Sequence, residues 1–289
     1  MRINTNVNSL NAQENATITN ANLKSSLEKL SSGLRINKAS DDASGLAIAD
    51  KLRTQANSIG QAISNGNSAV ALTQIADKAM AEQSNILDIV KQKLLQASTA
   101  TTSSAGRGAI EKDISKLLDQ LDNIAKQTNY NGITLLQASA SSSEAASSLT
   151  FQMGENATNT ITTSTGVKSN VSGLGLGDVR TAVANGSGTL QGAAGASTAR
   201  GLLEKVDAAI DTLNGWRADF GSTQNQLESA IRNLGTQQTN IKAAESVIRD
   251  VDYAQESANF NKQNIVSQAG TYAMSQANMI QQNVLRLLQ

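Results

Sequence analysis

Three residue types are missing from this chain: it has no Cys, no Pro and no His. Without Cys there is no disulfide and no thiol chemistry, whatever the compartment. Without His there is no imidazole base and no His-ligated metal. Without Pro, a helix of any length escapes the ~3 kcal/mol that an interior proline costs, and no X-Pro bond slows refolding. Aromatics are scarce as well, with three Phe, three Tyr and one Trp in 289 residues. Those side chains normally supply much of a buried interior, so an ordinary thick core is not expected. The start, Met1-Arg2-Ile3-Asn4-Thr5-Asn6, has no apolar run of the signal-peptide kind. No stretch approaches the ~18 apolar residues of a membrane helix, and no membrane insertion is expected. Neither sign of charge is in excess, since 24 Lys plus Arg balance 24 Asp plus Glu. That leaves no basic surplus for nucleic acid.

What remains is Ala, Leu, Ile and Val dispersed among Ser, Asn, Gln and Thr, a composition suited to narrow seams between helices. Near the start, Leu23, Leu27, Leu30 and Leu34 step by four, three and four, the spacing of a heptad seam. Gly33 and the polar stretch 37–42 weaken the helix there, and Asp41 and Asp42 suit a new helix N-terminus. From about 43 to 98 the apolar series Leu52, Ala56, Ile59, Ile63, Leu72, Ile75, Leu87, Val90 and Leu94 predicts one long helix. At ~1.5 Å per residue it would span ~80 Å. Residues 98–108 are Ser/Thr/Gly-rich and read as a loop. A third helix then carries Ile110, Ile114, Leu117, Leu121 and Ile124, and stops near Asn131-Gly132, a strong turn signal.

The clearest periodicity lies in the second half. Alternate steps of three and four lead through Leu203, Val206, Ile210, Leu213, Arg217, Phe220, Gln224, Leu227, Ile231, Leu234, Gln238, Ile241, Glu245 and Ile248. Ten of those fourteen positions are apolar, so the stripe is read as an intrasubunit helix seam. Gln224 and Gln238 either fix its register or face solvent where the seam drifts. A last segment continues with Val266, Ala269, Ala273, Ala277, Ile280, Val284 and Leu287. Between the two halves, 138–200 has no helical period. Leu149 to Met153 and Thr160 to Thr162 suggest a hairpin turning at Gly154-Glu155-Asn156. Residues 169–197 read as loop, with Gly173, Gly175 and Gly177 as a flexible cluster and no phosphate-loop pattern.

A striped helix must bury its stripe against another helix. The expected fold is therefore mostly α: long coiled-coil helices from both chain ends paired into a rod, with a small β-hairpin and loop region from the middle. Apolar surface left over on so slender a body predicts self-association.

The segment Leu30-Ser31-Ser32-Gly33-Leu34-Arg35-Ile36-Asn37, continuing through Asp41-Asp42-Ala43-Ser44-Gly45-Leu46-Ala47-Ile48-Ala49, resembles the N-terminal signature of bacterial flagellins. Ile3-Asn4-Thr5-Asn6 is similar to that family's opening. Ala243-Ala244-Glu245-Ser246-Val247-Ile248-Arg249-Asp250-Val251-Asp252-Tyr253 and the closing Gln282 to Gln289 resemble its C-terminal signature. The resemblance implies a secreted subunit of a helical homopolymer, the extracellular flagellar filament, which serves motility. It also implies an inner coiled-coil domain, 1–43 with 245–289, lining a channel. An outer helical-bundle domain would follow over 44–244, with 138–200 as a short variable region. The implied partners are further copies of the chain, an export chaperone, the filament cap and the hook–filament junction proteins. On this reading Leu23, Leu27, Leu30, Leu34, Ala273, Ala277, Ile280, Val284 and Leu287 belong to the polymer interface.

Two departures from the family stand out. The middle is too short for large extra surface domains, though its Ser/Thr residues offer acceptors for O-linked glycans, which some flagellins carry. In flagellins detected by Toll-like receptor 5, the second helix carries Arg-Val-Arg-Glu-Leu and the third a supporting Glu. Here the first Arg falls on Ile89, the Leu on Lys93 and the Glu on Asp113, which implies weak or absent activation. No catalytic, cofactor-binding or metal-binding set is expected, and Arg35 with Asp41 and Asp42 reads as helix caps and solvated charges. Other readings are a hook–filament junction protein with the same terminal helices, or a coiled-coil scaffold that would explain the heptads but not the terminal motifs.

Overall fold

The computed structural model describes residues 6–138, 145–163, 166–184, 188–192 and 194–287, with side chains described as far as residue 280. In chain order they form α1 (Val7–Ser32), α2 (Ala43–Ala97), α3 (Ser104–Gln127), β1 (Asn129–Tyr130) and β2 (Ile133–Thr134). Then come β3 (Thr150–Gln152), β4 (Thr160–Thr162), α4 (Gly177–Ala182), α5 (Gly195–Arg249) and α6 (Tyr253–Leu287). The chain divides into two compact units, Met1–Asn57 with Gln238–Gln289, and Ser58–Gln237. Both α2 and α5 contribute residues to each.

In the first unit α1 and α6 run antiparallel. Asn6 caps α1 by accepting the Ser9 N–H at 3.1 Å, and Gly33 ends it with a left-handed φ of 73°. A Cβ at Gly33 would also lie 2.9 Å from the Tyr253 hydroxyl, so glycine meets two demands there. The helix interruptions after α1 and after α5 are tied together: Val251 N–H donates to Gly33 O at 3.0 Å, and Arg35 N–H to Arg249 O at 2.6 Å. The Arg35 guanidinium donates to Ile248 O at 2.6 Å, which is where the structure places that charge. Asp42 caps α2 by accepting from Gly45 N–H at 2.9 Å, while Asp41 accepts the N–H groups of Asn37 and Lys38 in the preceding turn.

The second unit holds the apolar core. Along α2, Ala69, Thr73, Ala76, Met80, Gln83, Leu87, Val90, Leu94 and Ala97 are buried at steps of three and four. They face Ile110, Ile114, Leu118, Leu121 and Ala125 of α3, and Ala199, Leu202, Val206, Ala209, Leu213 and Phe220 of α5. Each fully buried Leu contributes roughly 1.5–3 kcal/mol. Ile75, expected on this seam, is 41% exposed. In α3 Leu118 is fully buried along with Ile114 and Leu121, while Leu117, expected on the seam, lies at its margin. The loop expected over 98–108 is shorter, because the Ser103 hydroxyl accepts the Gly106 N–H at 3.1 Å and starts α3 early. At Asn131 (φ 51°) and Gly132 (φ 81°) both turn residues are left-handed, the two-residue hairpin geometry that suits β1 and β2.

The largest difference from the sequence reading concerns the segment taken for loop. Val167, Val171, Leu174, Leu176, Val179, Val183 and Leu190 are all buried in the main core. Val167, Val171 and Leu174, and then Leu176, Val179 and Val183, step by three and four, but the two-residue step between the sets breaks the period before either is long enough to announce a helix. The glycines among them belong to a fixed turn. Gly173 N–H donates to Asn170 Oδ1 at 2.8 Å, a Cβ there would lie 2.0 Å from Lys168 O, and Gly175 has φ 69°. Gln83, fully buried on α2, pins the segment by donating to Leu121 O at 3.1 Å and Ser169 O at 2.9 Å. The expected hairpin is present as β3–β4 with Phe151 opposite Ile161. It does not stand clear of the helices: Met153 and Ile161 pack with Ala69 and Leu227. Gly66 provides the notch, since a Cβ there would come within 2.7 Å of Met153 Cε.

Candidate polymer interface

The α1/α6 pair is built unlike the core. On α1 the line Ser9, Ala12, Ala16, Thr19, Leu23, Ser26 and Leu30, at steps of three and four, is buried or half-buried. Its only buried members are Thr19 and Ser26, the rest being half-buried. On α6 the matching half-buried line is Glu256, Phe260, Gln263, Ser267, Gly270, Met274 and Ala277. Small and polar side chains dominate both lines, so the helices approach closely but exclude little apolar surface. Hydrogen bonds fix the pairing instead. Asn6 Nδ2 donates to Ala277 O at 3.1 Å, Ser9 Oγ to Asn278 Oδ1 at 2.9 Å, Ser267 Oγ to Asn20 Oδ1 at 3.1 Å, and Ser26 to Glu256.

Apart from Leu23, Leu30, Phe260 and Met274 on the seam, many large apolar residues point the other way. Ile265, Tyr272 and Met279 recur every seven residues on the face of α6 opposite the seam, and Tyr272 is 75% exposed. Val266, Ala269, Ala273 and Ile280 flank them, all exposed. On α1, Val7, Leu10 and Ile18 also face outward. Of the residues expected at the interface, Leu27, Ala273 and Ile280 are exposed, whereas Leu23, Leu30, Leu34 and Ala277 are half-buried within the chain. The side chains of Val284 and Leu287 lie outside the described residues. Ile265, Tyr272 and Met279 escaped the sequence reading, although their seven-residue recurrence was available to find them.

On the α5 stripe, Val206, Leu213 and Leu227 are fully buried, and Leu203, Ile210, Ile231, Leu234 and Ile241 are half-buried. The two seam glutamines differ. Gln238 donates across to Ala56 O at 3.0 Å, while Gln224 turns to Glu228 on its own helix. Ile89 is exposed, and Lys93 pairs with Asp113 at 3.0 Å rather than lying buried and alone. A polar cleft of about 570 Å³ on the second unit has Asp122 and Arg180 in its wall, and these neutralise one another. Among the described residues no cluster of three or more His, Cys, Asp or Glu could hold a metal, and no helix is long and apolar enough to cross a membrane.

Paired terminal helices with polar seams and apolar outer faces define a self-associating structural protein. The family patterns are more specific. The bacterial flagellin N-terminal helical region matches residues 3–141, and the C-terminal helical region matches residues 203–288. A flagellin from Bacillus subtilis (strain 168) is 37% identical over 309 residues and covers 100% of each chain. A flagellar filament 33 kDa core protein from Treponema phagedenis is 32% identical over 292 residues, again with 100% of each chain covered. A solved flagellar hook-associated protein from Vibrio parahaemolyticus shares the fold, with a TM-score of 0.61 at 11% identity, covering 72% of this chain and 99% of that one. This chain belongs to the bacterial flagellin family.

Proposed function

We propose that the chain is a structural subunit that assembles with its own copies into the helical filament of the bacterial flagellum. The observation that carries this reading is the burial pattern of α1 and α6: a mainly small and polar seam on which Leu23, Leu30, Phe260 and Met274 are only half-buried, and large apolar residues such as Ile265, Tyr272 and Met279 left exposed outside it. Such faces are costly in water and are covered when like subunits stack. Relatives matched over their full length are named as flagellins and filament core proteins, which favours the filament over the hook–filament junction. On this reading the terminal helices form the inner, channel-lining part of the tube. The stripe Ile265, Tyr272 and Met279 with Val266, Ile280, Leu27, Val7, Leu10 and Ile18 meets neighbouring copies. The half-buried Leu23, Leu30, Leu34 and Ala277 support that surface from within the pair. An export chaperone, the filament cap and the hook–filament junction proteins complete the set of partners, and the subunit acts outside the cell.

Ile265→Asp tests the interface directly. The purified variant keeps the circular dichroism and melting of the parent but forms no filaments on seeds, as read by electron microscopy. Normal filaments from that variant would remove the outer face of α6 from the interface. The exposed aliphatic Ile89 and the Lys93–Asp113 pair support weak or absent Toll-like receptor 5 activation. Neither offers the guanidinium hydrogen bonds and apolar contact of the activating pattern. A receptor reporter assay with monomer at full potency would contradict this.

A further inference from the structure

We propose that Met279 is a redox-sensitive modification site whose oxidation blocks addition of the subunit to a filament. The inference rests on the outer face of α6 being a polymer contact. The chain has five methionines. Met80 is fully buried in the core and Met153 is packed under the β3–β4 hairpin. Met274 is half-buried on the seam with α1. Met279 is 49% exposed and completes the stripe begun by Ile265 and Tyr272, fourteen and seven residues earlier. Among the described residues it is therefore the methionine that combines access to solvent with a place on the apolar face. Met1 lies outside them.

Hydrogen peroxide, as the oxidant, reacts with the thioether in a balanced step. The peroxide O–O bond breaks, one oxygen bonds to sulfur, sulfur gives up two electrons, and the second oxygen leaves as water. The product is a sulfoxide, polar and a strong acceptor, where an apolar chain stood. The apolar members of the stripe, Ile265, Val266, Ala269, Ala273 and Ile280, offer that oxygen no donor; in the free subunit water and the exposed Ser275 and Gln276, one turn earlier, solvate it. Burying it against a neighbour's apolar surface strips that water from a polar group. The free subunit loses little, since Met279 is half-exposed and belongs to neither buried apolar cluster. The modification is thus silent in the monomer and felt on assembly. Once a neighbour covers the stripe, the sulfur is shielded, so filaments already built keep their methionine.

The test treats monomers and preformed filaments of the full chain with hydrogen peroxide, maps each sulfoxide by mass spectrometry, and follows elongation from seeds by light scattering. Oxidised wild-type monomer is expected to elongate about tenfold more slowly or worse, the cost of one unpaired polar group at a contact. Met279→Leu is expected to elongate normally both before and after peroxide. Methionine sulfoxide reductase should restore the wild-type rate, and Met279 in filaments should oxidise several-fold more slowly than in monomers. The proposal is overturned by normal elongation of monomers whose Met279 is fully oxidised, by equal inhibition of peroxide-treated Met279→Leu, or by equal oxidation in filaments and monomers. The two readings separate through Tyr272→Asp. If it elongates normally, the stripe is not a polymer contact. If it fails while oxidised wild type elongates, only the redox site falls.

Discussion

The α1/α6 pair and the helical core of the second unit use the same three-and-four spacing for opposite ends. In the core, the inner lines carry large Leu, Ile, Val and Met among smaller residues such as Ala76 and Ala125, and Leu87, Leu94, Ile114, Leu118, Leu121 and Leu213 are each at 0% exposure. In the pair, the inner lines are mostly Ser, Ala, Thr, Gln and Gly; the larger Leu23, Leu30, Phe260 and Met274 among them are only half-buried, and on α1 the buried residues are Thr19 and Ser26. The repeat only sets which residues meet. Side-chain size on the inner line decides whether meeting is enough. The core is stable by its own burial, and the pair is held by hydrogen bonds that water can replace at a net loss of about 1 kcal/mol each.

Hydrogen exchange on the depolymerised subunit should give the largest contrast between the two regions. Amides in the middle of α3 and in α2 between residues 80 and 94 are expected to open only with global unfolding. Those of α1 and α6 should open with little cost, giving rates on the order of a thousandfold faster or more. Strong protection of α1 and α6 in the monomer would erase the distinction, and with it the reason the pair needs neighbours. Assembly should slow exchange in α1 and α6 most.

That contrast was only partly legible in the sequence. The α5 stripe was, because Val206, Leu213, Phe220 and Leu227 are large and regularly spaced, and the start of α2 was announced by Asp42. The seam of α6 was not. A reading that follows hydrophobicity settles on Val266, Ala273 and Ile280, which face solvent, since Gln263, Ser267 and Gly270 on the true inner line carry no apolar signal. The core segment from Val167 to Leu190 was missed for another reason. It is held by single side chains reaching from elsewhere, such as Gln83 to Ser169 O and Asp122 to Val171 N–H, and such contacts have no local pattern. Alanine's ambiguity is general in this chain: the same residue type lines the seam at Ala16 and faces solvent at Ala273.

A pair of leucine truncations sharpens the comparison at the level of energy. Leu121→Ala removes a fully buried side chain from the core and is expected to destabilise the monomer by about 3 kcal/mol. Leu27→Ala removes a side chain 55% exposed on α1 and should stay within about 0.5 kcal/mol. Urea unfolding of the monomer measures both, and equal losses would show that α1 contributes to the cooperative core. Assembly should reverse the order of interest, because Leu27 sits on the surface assigned to neighbours.

The smallest effect belongs to the joint between α1 and α2. The N–H groups of Lys38 and then Asn37 donate to Asp41, and these bonds, with help from Lys29 and Lys38, hold its carboxyl below the usual carboxylate range. A carboxyl lowered in the folded state stabilises at pH values above its unfolded pKa, and the contribution is lost as pH falls through the lowered folded value. The window therefore lies below about pH 4. Lys38 is shifted the other way, raised mainly by its hydrogen bond to Glu28, so its own titration belongs to alkaline pH and does not overlap. Asp41 is almost fully open to solvent, which screens the gain and keeps it small. Nuclear magnetic resonance of the Asn37 and Lys38 amide protons between pH 5 and pH 2, the span that brackets an ordinary Asp titration at about 3.9, should show a step with its midpoint below that value. Asp41→Asn should remove the step while leaving the core resonances in place. A midpoint at or above the ordinary value would mean that the turn forms without the carboxylate, and that the joint is set by the Gly33, Arg35 and Val251 backbone bonds alone.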